Sequence, residues 1–307
     1  MSTTPIITKR PAATTTVAAP APATGPLAAV RRHPLLVFFA LAFGLTWAIQ
    51  IPWVAGERGW LPFQVPVPLV LLQGWMPGLA AVLVTGIVGG RSSVRTLLRR
   101  IIIWRVNPLW YGVPIVGTAA LWFGGLALDP LIGGSGLALP TFSAALLIGA
   151  VVYLALFFVI NSEELAWRGF ALPRLQTRYG ALGASVILGV IEGLFHAPYF
   201  FKPESDQAAT GLPLFVLGSV AGVILFTWLF NNTRGSVLLA MLFHTFANMW
   251  LSIFPAPSAD QAIAQRAFTA MLVVAALIVL AIYGPKRLSR QPADTMPVVT
   301  DAPVPQS

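Results

Sequence analysis

The sequence predicts an all-α, polytopic membrane bundle of about eight transmembrane helices, both termini cytoplasmic. Three observations predict it. Of the 307 residues, 57% are apolar and only 9% are charged, with a mean hydropathy of +0.79. An average soluble domain is roughly a quarter charged. The apolar residues fall into runs of roughly 20, the length a helix needs to cross the hydrocarbon core. Finally, Lys and Arg gather in alternate connecting segments.

Taken in order, residues 1–33 are rich in Ala, Thr and Pro and hold no long apolar run, which predicts a disordered tail without a signal peptide. Residues 34–284 form the transmembrane unit. Its candidate spans are 35–54, 66–88, 108–127, 143–163, 181–200, 212–230, 235–254 and 267–284. Pro114 and several glycines interrupt the third. The fourth is expected to continue as helix past Glu163 and Glu164 towards Arg174. Residues 285–307, basic and then Pro-rich, read as a second disordered tail. The longest loops, 89–107 and 128–142, are too short to fold alone. No internal repeat supports a transporter built from repeated halves.

With the N-terminus inside, the cytoplasmic set is Lys9, Arg10, Arg31, Arg32, Arg91, Arg95, Arg99, Arg100, Arg105, Arg168, Arg174, Arg178, Arg234, Lys286, Arg287 and Arg290. Only Arg58, Lys202 and Arg266 fall outside. This is a strong positive-inside bias. It explains the net charge of +9 by topology and contact with anionic lipid, not by a nucleic-acid partner. The expected surroundings are a lipid bilayer, the inner membrane of a prokaryotic cell. Cysteine is absent, which excludes disulfides, thiolate metal sites and a cysteine nucleophile.

Against this apolar background a few polar residues need a reason, because ionisable groups in spans are costly. Glu163 and Glu164 end the fourth run. Glu164 and Arg168 are spaced i, i+4 and share a helix face, so they read as a structural ion pair. Glu163 is rotated about 100° away and free to face a cavity. His196 is placed well inside the fifth span, with Glu192 one turn before it. His244 and Asn248 share a face of the seventh. Each group alone has a plain structural alternative, a solvated helix end or interhelical hydrogen bonding. Together they form one economical polar set.

A carboxylate and a neutral imidazole can hold a water and take its proton. A second imidazole and an amide can donate to a developing oxyanion. Alternatively, Glu163, His196 and His244 could ligate Zn²⁺ with an open position for water. The residues leave both open, so the cofactor is none or zinc. HExxH, GxSxG and GKT/GKS elements are absent, and Ser185 and Ser219 do not stand out as nucleophiles.

Glu163-Glu-Leu-Ala-Trp-Arg168 resembles the EExxxR motif of the CAAX-protease and bacteriocin-processing (CPBP) family of intramembrane endopeptidases. His196-Ala-Pro resembles the histidine of its second motif, and His244-Thr-Phe-Ala-Asn248 its HxxxN motif. The resemblance covers about residues 140–255. It implies an eight-helix membrane protease in which Glu163 and His196 activate water and His244 and Asn248 form the oxyanion hole. Glu164 and Arg168 would support them. Glu192 departs from the pattern, which usually carries an aromatic there; it is expected to hydrogen-bond His196. The implied substrate is a peptide or membrane protein reaching a cytoplasm-facing cavity. The competing readings are a non-catalytic binding or immunity protein on the same fold, and a proton-coupled transporter.

Overall fold

The computed structural model describes residues 25–137, 143–202, 205–256, 260–292, 296, 297 and 299, and all regular structure among them is helical. Short helix α1 (Pro26–Arg32) precedes α2 (Pro34–Glu57). α3 (Val67–Leu72) leads through a tight turn into α4 (Met76–Arg99). α5 (Leu109–Gly112) and α6 (Thr118–Leu128) are joined by a wide π-helical turn at Val113–Gly117, where Pro114 cannot donate to the regular ladder. Then come α7 (Ala144–Ile160) and α8 (Leu172–Phe195), preceded by a π-helical stretch at Leu165–Ala171. Short α9 (Asp206–Thr210) precedes α10 (Leu212–Asn232), α11 (Val237–Ile253) and α12 (Gln261–Tyr283). Six helical segments are long and apolar enough to cross a membrane, and α7 and α11 are shorter apolar helices among them.

Three expectations need correction. The tail predicted over 1–33 is helical from Pro26 to Arg32, where a proline opens the first turn and Arg31 Nε donates to the Ile87 carbonyl at 3.2 Å; residues 1–24 lie outside the described residues. The C-terminal tail begins as a docked segment. The Asn231 and Asn232 side chains donate to the carbonyls of Arg287 (2.7 Å) and Leu288 (2.9 Å), and Leu288 is fully buried. Its remaining stretches, 293–295, 298 and 300–307, lie outside the described residues. The third correction concerns the fourth span, which does not run on as one helix. α7 stops at Ile160, and Asn161 and Ser162 are non-helical.

One interhelical contact positions the site. α8 turns at Gly180, whose φ of 68° is open to glycine, and its second limb packs along α10. Gly189 and Gly193 form a small-xxx-small face against Val220 and Val216. A Cβ at Gly189 would lie 2.5 Å from Val220 Cα. Gly189→Ala is therefore expected to cost about 1–3 kcal/mol by forcing the helices apart. Gly149→Ala on α7, where added bulk meets nothing within 4 Å, should be neutral or slightly stabilising. Thermal unfolding in detergent separates the two.

Lys and Arg mark one end of the bundle. Arg99, Arg100, Arg105 and Arg234 line one cavity there, Arg91, Arg95 and Arg99 a second, and Arg32, Arg174 and Arg178 a third. The Lys286 carbonyl accepts from Ala181 N at the Gly180 turn, so the end of α12 sits at this level too. At the opposite end Arg58 Nε bonds the Phe201 carbonyl and Lys202 lies over Trp53.

Candidate active site

The site starts at the break after α7. Asn161 Oδ1 accepts from Glu163 N at 2.9 Å, an Asx turn that redirects the chain. Ser162 Oγ donates to the Gly74 carbonyl (2.9 Å) and accepts from Gly78 N (3.0 Å), clamping the break onto the start of α4. The π-helical stretch Leu165–Ala171 follows, a geometry that recurs at functional sites.

Glu163 and Glu164 diverge as helical geometry requires. Glu164 is fully buried. Its Oε2 lies 3.1 Å from Arg168 Nε, and its Oε1 lies 2.8 Å from His244 Nδ1. Arg168 is also fully buried and lies 3.8 Å over the Phe226 ring. It is therefore an interior residue, not part of the cytoplasmic helix end. Glu163 instead accepts from Trp167 Nε1 at 3.3 Å. Trp167 is itself fixed edge-on against Phe38 and Phe195.

Glu192 corrects a second expectation. Its carboxylate does not bond the His196 ring. It faces Arg168, with Nη1 2.9 Å from Oε1 and 3.0 Å from Oε2. One guanidinium thus bridges two carboxylates from different helices, as its planar fork permits. The His196 ring bonds the Glu192 backbone carbonyl, Nδ1 to O, at 2.7 Å. A carbonyl only accepts, so Nδ1 carries the proton and the Nε2 lone pair is free. His196 also sits at the end of α8, not within a span. Helix termination there lets the ring fold back onto the last turn.

Glu163, Glu164, Arg168, Glu192, His196, His244 and Asn248 all line one cavity of ≈ 260 Å³. Phe215, Phe226 and Phe268 form apolar walls, and Gln207, Thr210 and Gln265 add uncharged polar groups. Ser219 also lines it but donates to the Phe215 carbonyl at 2.9 Å; Ser185 is buried, bonded to Thr227. The sequence reading passed over Asn161, Ser162 and Trp167. An Asn-Ser pair directly after an apolar run is a helix-start signal that could have located the break.

Among the described residues no three His, Asp or Glu side chains are grouped to hold a metal ion. Nδ1 of His196 bonds a carbonyl and Nδ1 of His244 a carboxylate, an arrangement that would leave Nε2 of each ring as the metal-facing nitrogen.

The cavity lies away from the bundle end where Arg99, Arg105, Arg174 and Arg234 line other cavities. The chain from Glu163 runs towards the arginine end, turns at Gly180 and returns, so Glu163 and His196 meet far from the turn.

Comparison with known proteins returns the same segment. Residues 144–250 match the family model described as "Type II CAAX prenyl endopeptidase Rce1-like". Over 105 residues the chain is 34% identical to CAAX prenyl protease 2 of Methanococcus maripaludis, covering 32% of this chain and 38% of that protein. The chain thus aligns with well under half of that relative's length. Residues 144–250, which hold the three motifs, are thus similar to the Rce1-like type II CAAX prenyl endopeptidase family.

Proposed function

We propose that this chain is an intramembrane endopeptidase that hydrolyses a peptide bond with water activated by Glu163 and His196. The observation that carries the reading is the convergence of Glu163, His196, His244 and Asn248, from three separate segments, on one cavity. The family match supports a peptidase.

In this mechanism the substrate carbonyl lies between the two histidines. Glu163 takes a proton from water while His196, through its free Nε2, orients that water for attack. The oxyanion that forms is met by Asn248 Nδ2 and by His244. Glu164 accepts from His244 Nδ1, so a protonated His244 directs its Nε2–H at the oxyanion. Collapse expels the amine, which takes its proton from Glu163. Arg168 and Glu192 touch no substrate; they hold Glu164, and through it His244, in place. The substrate is a peptide or a membrane protein.

The test is a cleavage assay in proteoliposomes on a fluorogenic peptide panel. Asn248→Ala removes an oxyanion donor without touching the ion-pair network. It is expected to lower kcat by about 10²–10³ with KM little changed. Unchanged kcat would remove Asn248 from the oxyanion hole. A wild-type chain that cleaves nothing, yet still binds a partner, would favour the non-catalytic alternative.

A further inference from the structure

Another cavity lies at the arginine end, apart from the candidate active site. It encloses ≈ 800 Å³, a size suited to a small-molecule ligand. Arg99, Arg100, Arg105 and Arg234 line it, and among the described residues no Asp or Glu does. Arg99 ends α4, Arg105 lies on the connection to α5, and Arg234 sits in the turn between α10 and α11. Separate parts of the chain thus bring cations to one concavity.

Like charges gathered without an acid repel, so something must favour the arrangement. Arg234 Nη1 donates to the Arg105 carbonyl at 3.3 Å, which holds these two cationic residues side by side. Among the described residues the carboxylate ion pairs involve Arg168 and His244, and none involves Arg99, Arg105 or Arg234. Arg234 also adopts a φ of 60°, in the left-handed region where Gly, Asn and Asp are usual. Backbone strain of this kind clusters where a side chain serves a ligand. Phosphate is the matching group, because planar guanidinium forks hydrogen-bond its oxygens two at a time.

The neighbouring surface selects the kind of phosphate. Arg99 also lines a groove of ≈ 650 Å³ beside α4, with Gly86, Gly90, Val94, Leu98 and Ile102 as its apolar residues. Arg91, Arg95 and Arg99, spaced i, i+4, i+8, edge that groove from one side of the helix. Leu98 and Ile102 are exposed, and a Cβ added at Gly90 would meet nothing within 4 Å, so the groove is unobstructed. A free phosphate would use the arginine cavity alone, whereas an anionic amphiphile uses both. We propose that the arginine cavity binds the phosphate of an anionic phospholipid, with an acyl chain along the groove beside α4. Basic pockets between apolar helices suit such headgroups.

The test follows thermal unfolding of the full chain in a neutral detergent at fixed ionic strength. Phosphatidylglycerol, phosphatidylcholine or inorganic phosphate is added. Phosphatidylglycerol should raise the midpoint saturably, by roughly 5 °C at a large excess over Kd. Phosphatidylcholine and inorganic phosphate should leave it within about 1 °C. Arg99→Gln combined with Arg234→Gln should abolish the phosphatidylglycerol shift. Arg178→Gln combined with Arg290→Gln removes as many charges from outside the cavity and should keep it. If the first double variant does not fold, Arg234→Gly, whose backbone suits a φ of 60°, takes its place with the same expectation. An equal shift from phosphatidylcholine would mean that charge is not read, and an equal shift from inorganic phosphate would assign the cavity to a free anion. Either result overturns the proposal. So does a shift that survives Arg99→Gln with Arg234→Gln, or one that is lost in Arg178→Gln with Arg290→Gln. Unfolding is measured without turnover, so the outcome is independent of the peptidase reading.

Discussion

Glu163→Gln is expected to lower kcat/KM for peptide cleavage by about 10²–10⁴, the contribution of a positioned general base, while leaving thermal stability within about 0.5 kcal/mol of wild type. The glutamine side chain is isosteric and its oxygen can still accept from Trp167 Nε1, so the site keeps its shape. Glu163 takes no part in the ion pairs around Arg168. Glu164→Gln, one residue on, should behave differently. Glu164 is fully buried and bonded to both Arg168 and His244, so its loss should reduce stability and cleavage together. Parallel measurements of unfolding and turnover separate the two neighbours. Cleavage by Glu163→Gln within a few-fold of wild type would end the case for Glu163 as base. His196→Ala shares the expectation for Glu163→Gln, because among the described residues that ring is held by the Glu192 carbonyl and by contact with Phe195, Tyr199 and Phe215.

The division between these glutamates was legible in the sequence because it follows from helical rotation alone. Glu164 and Arg168 share a face and Glu163 does not, whatever surrounds them. The membrane bundle was legible for a similar reason: apolar run length is a local property. The side chain of Glu192 was not legible. Its spacing to His196 satisfies the i, i+4 rule, yet a closer cation on another segment, Arg168, won the carboxylate. A long-range charge outweighed a short-range geometric option, and sequence spacing carries no information about it. The break at Asn161 and Ser162 was obscured by the apolar run before it. That run reads as continuous until the clamp onto Gly74 and Gly78 is known. The burial of Arg168 was hidden for the same reason. Without the break and the turn at Gly180, Arg168 counts as one more cytoplasmic arginine rather than the floor of the site.

Arg168 is where the largest loss of stability is expected. Arg168→Met keeps much of the volume and the contact with Phe226, but removes the cation from between two carboxylates. Breaking a buried pair by deleting one partner leaves an uncompensated charge and costs about 3–5 kcal/mol. Here two acids lose their partner, Glu164 completely buried and Glu192 with 13% of its side chain exposed. Arg168→Lys should recover part of the loss: it restores the charge, but one ammonium cannot replace a fork whose Nε and Nη1 contact separate carboxylates. The informative experiment is a double-mutant cycle. Glu192→Phe puts an aromatic at the position and deletes one of the orphaned acids. If the bridge is as described, Arg168→Met combined with Glu192→Phe should lose less than the sum of the single changes, by about 0.5–3 kcal/mol. Strict additivity in unfolding would mean that Glu192 does not depend on Arg168. The same cycle read in turnover tests the link to His244. Glu164 is shared between the guanidinium and the imidazole, so removing Arg168 should disturb the oxyanion side of the site even in variants stable enough to fold. Removing Glu192 alone should leave the Glu164–His244 bond, and with it most of the activity, in place.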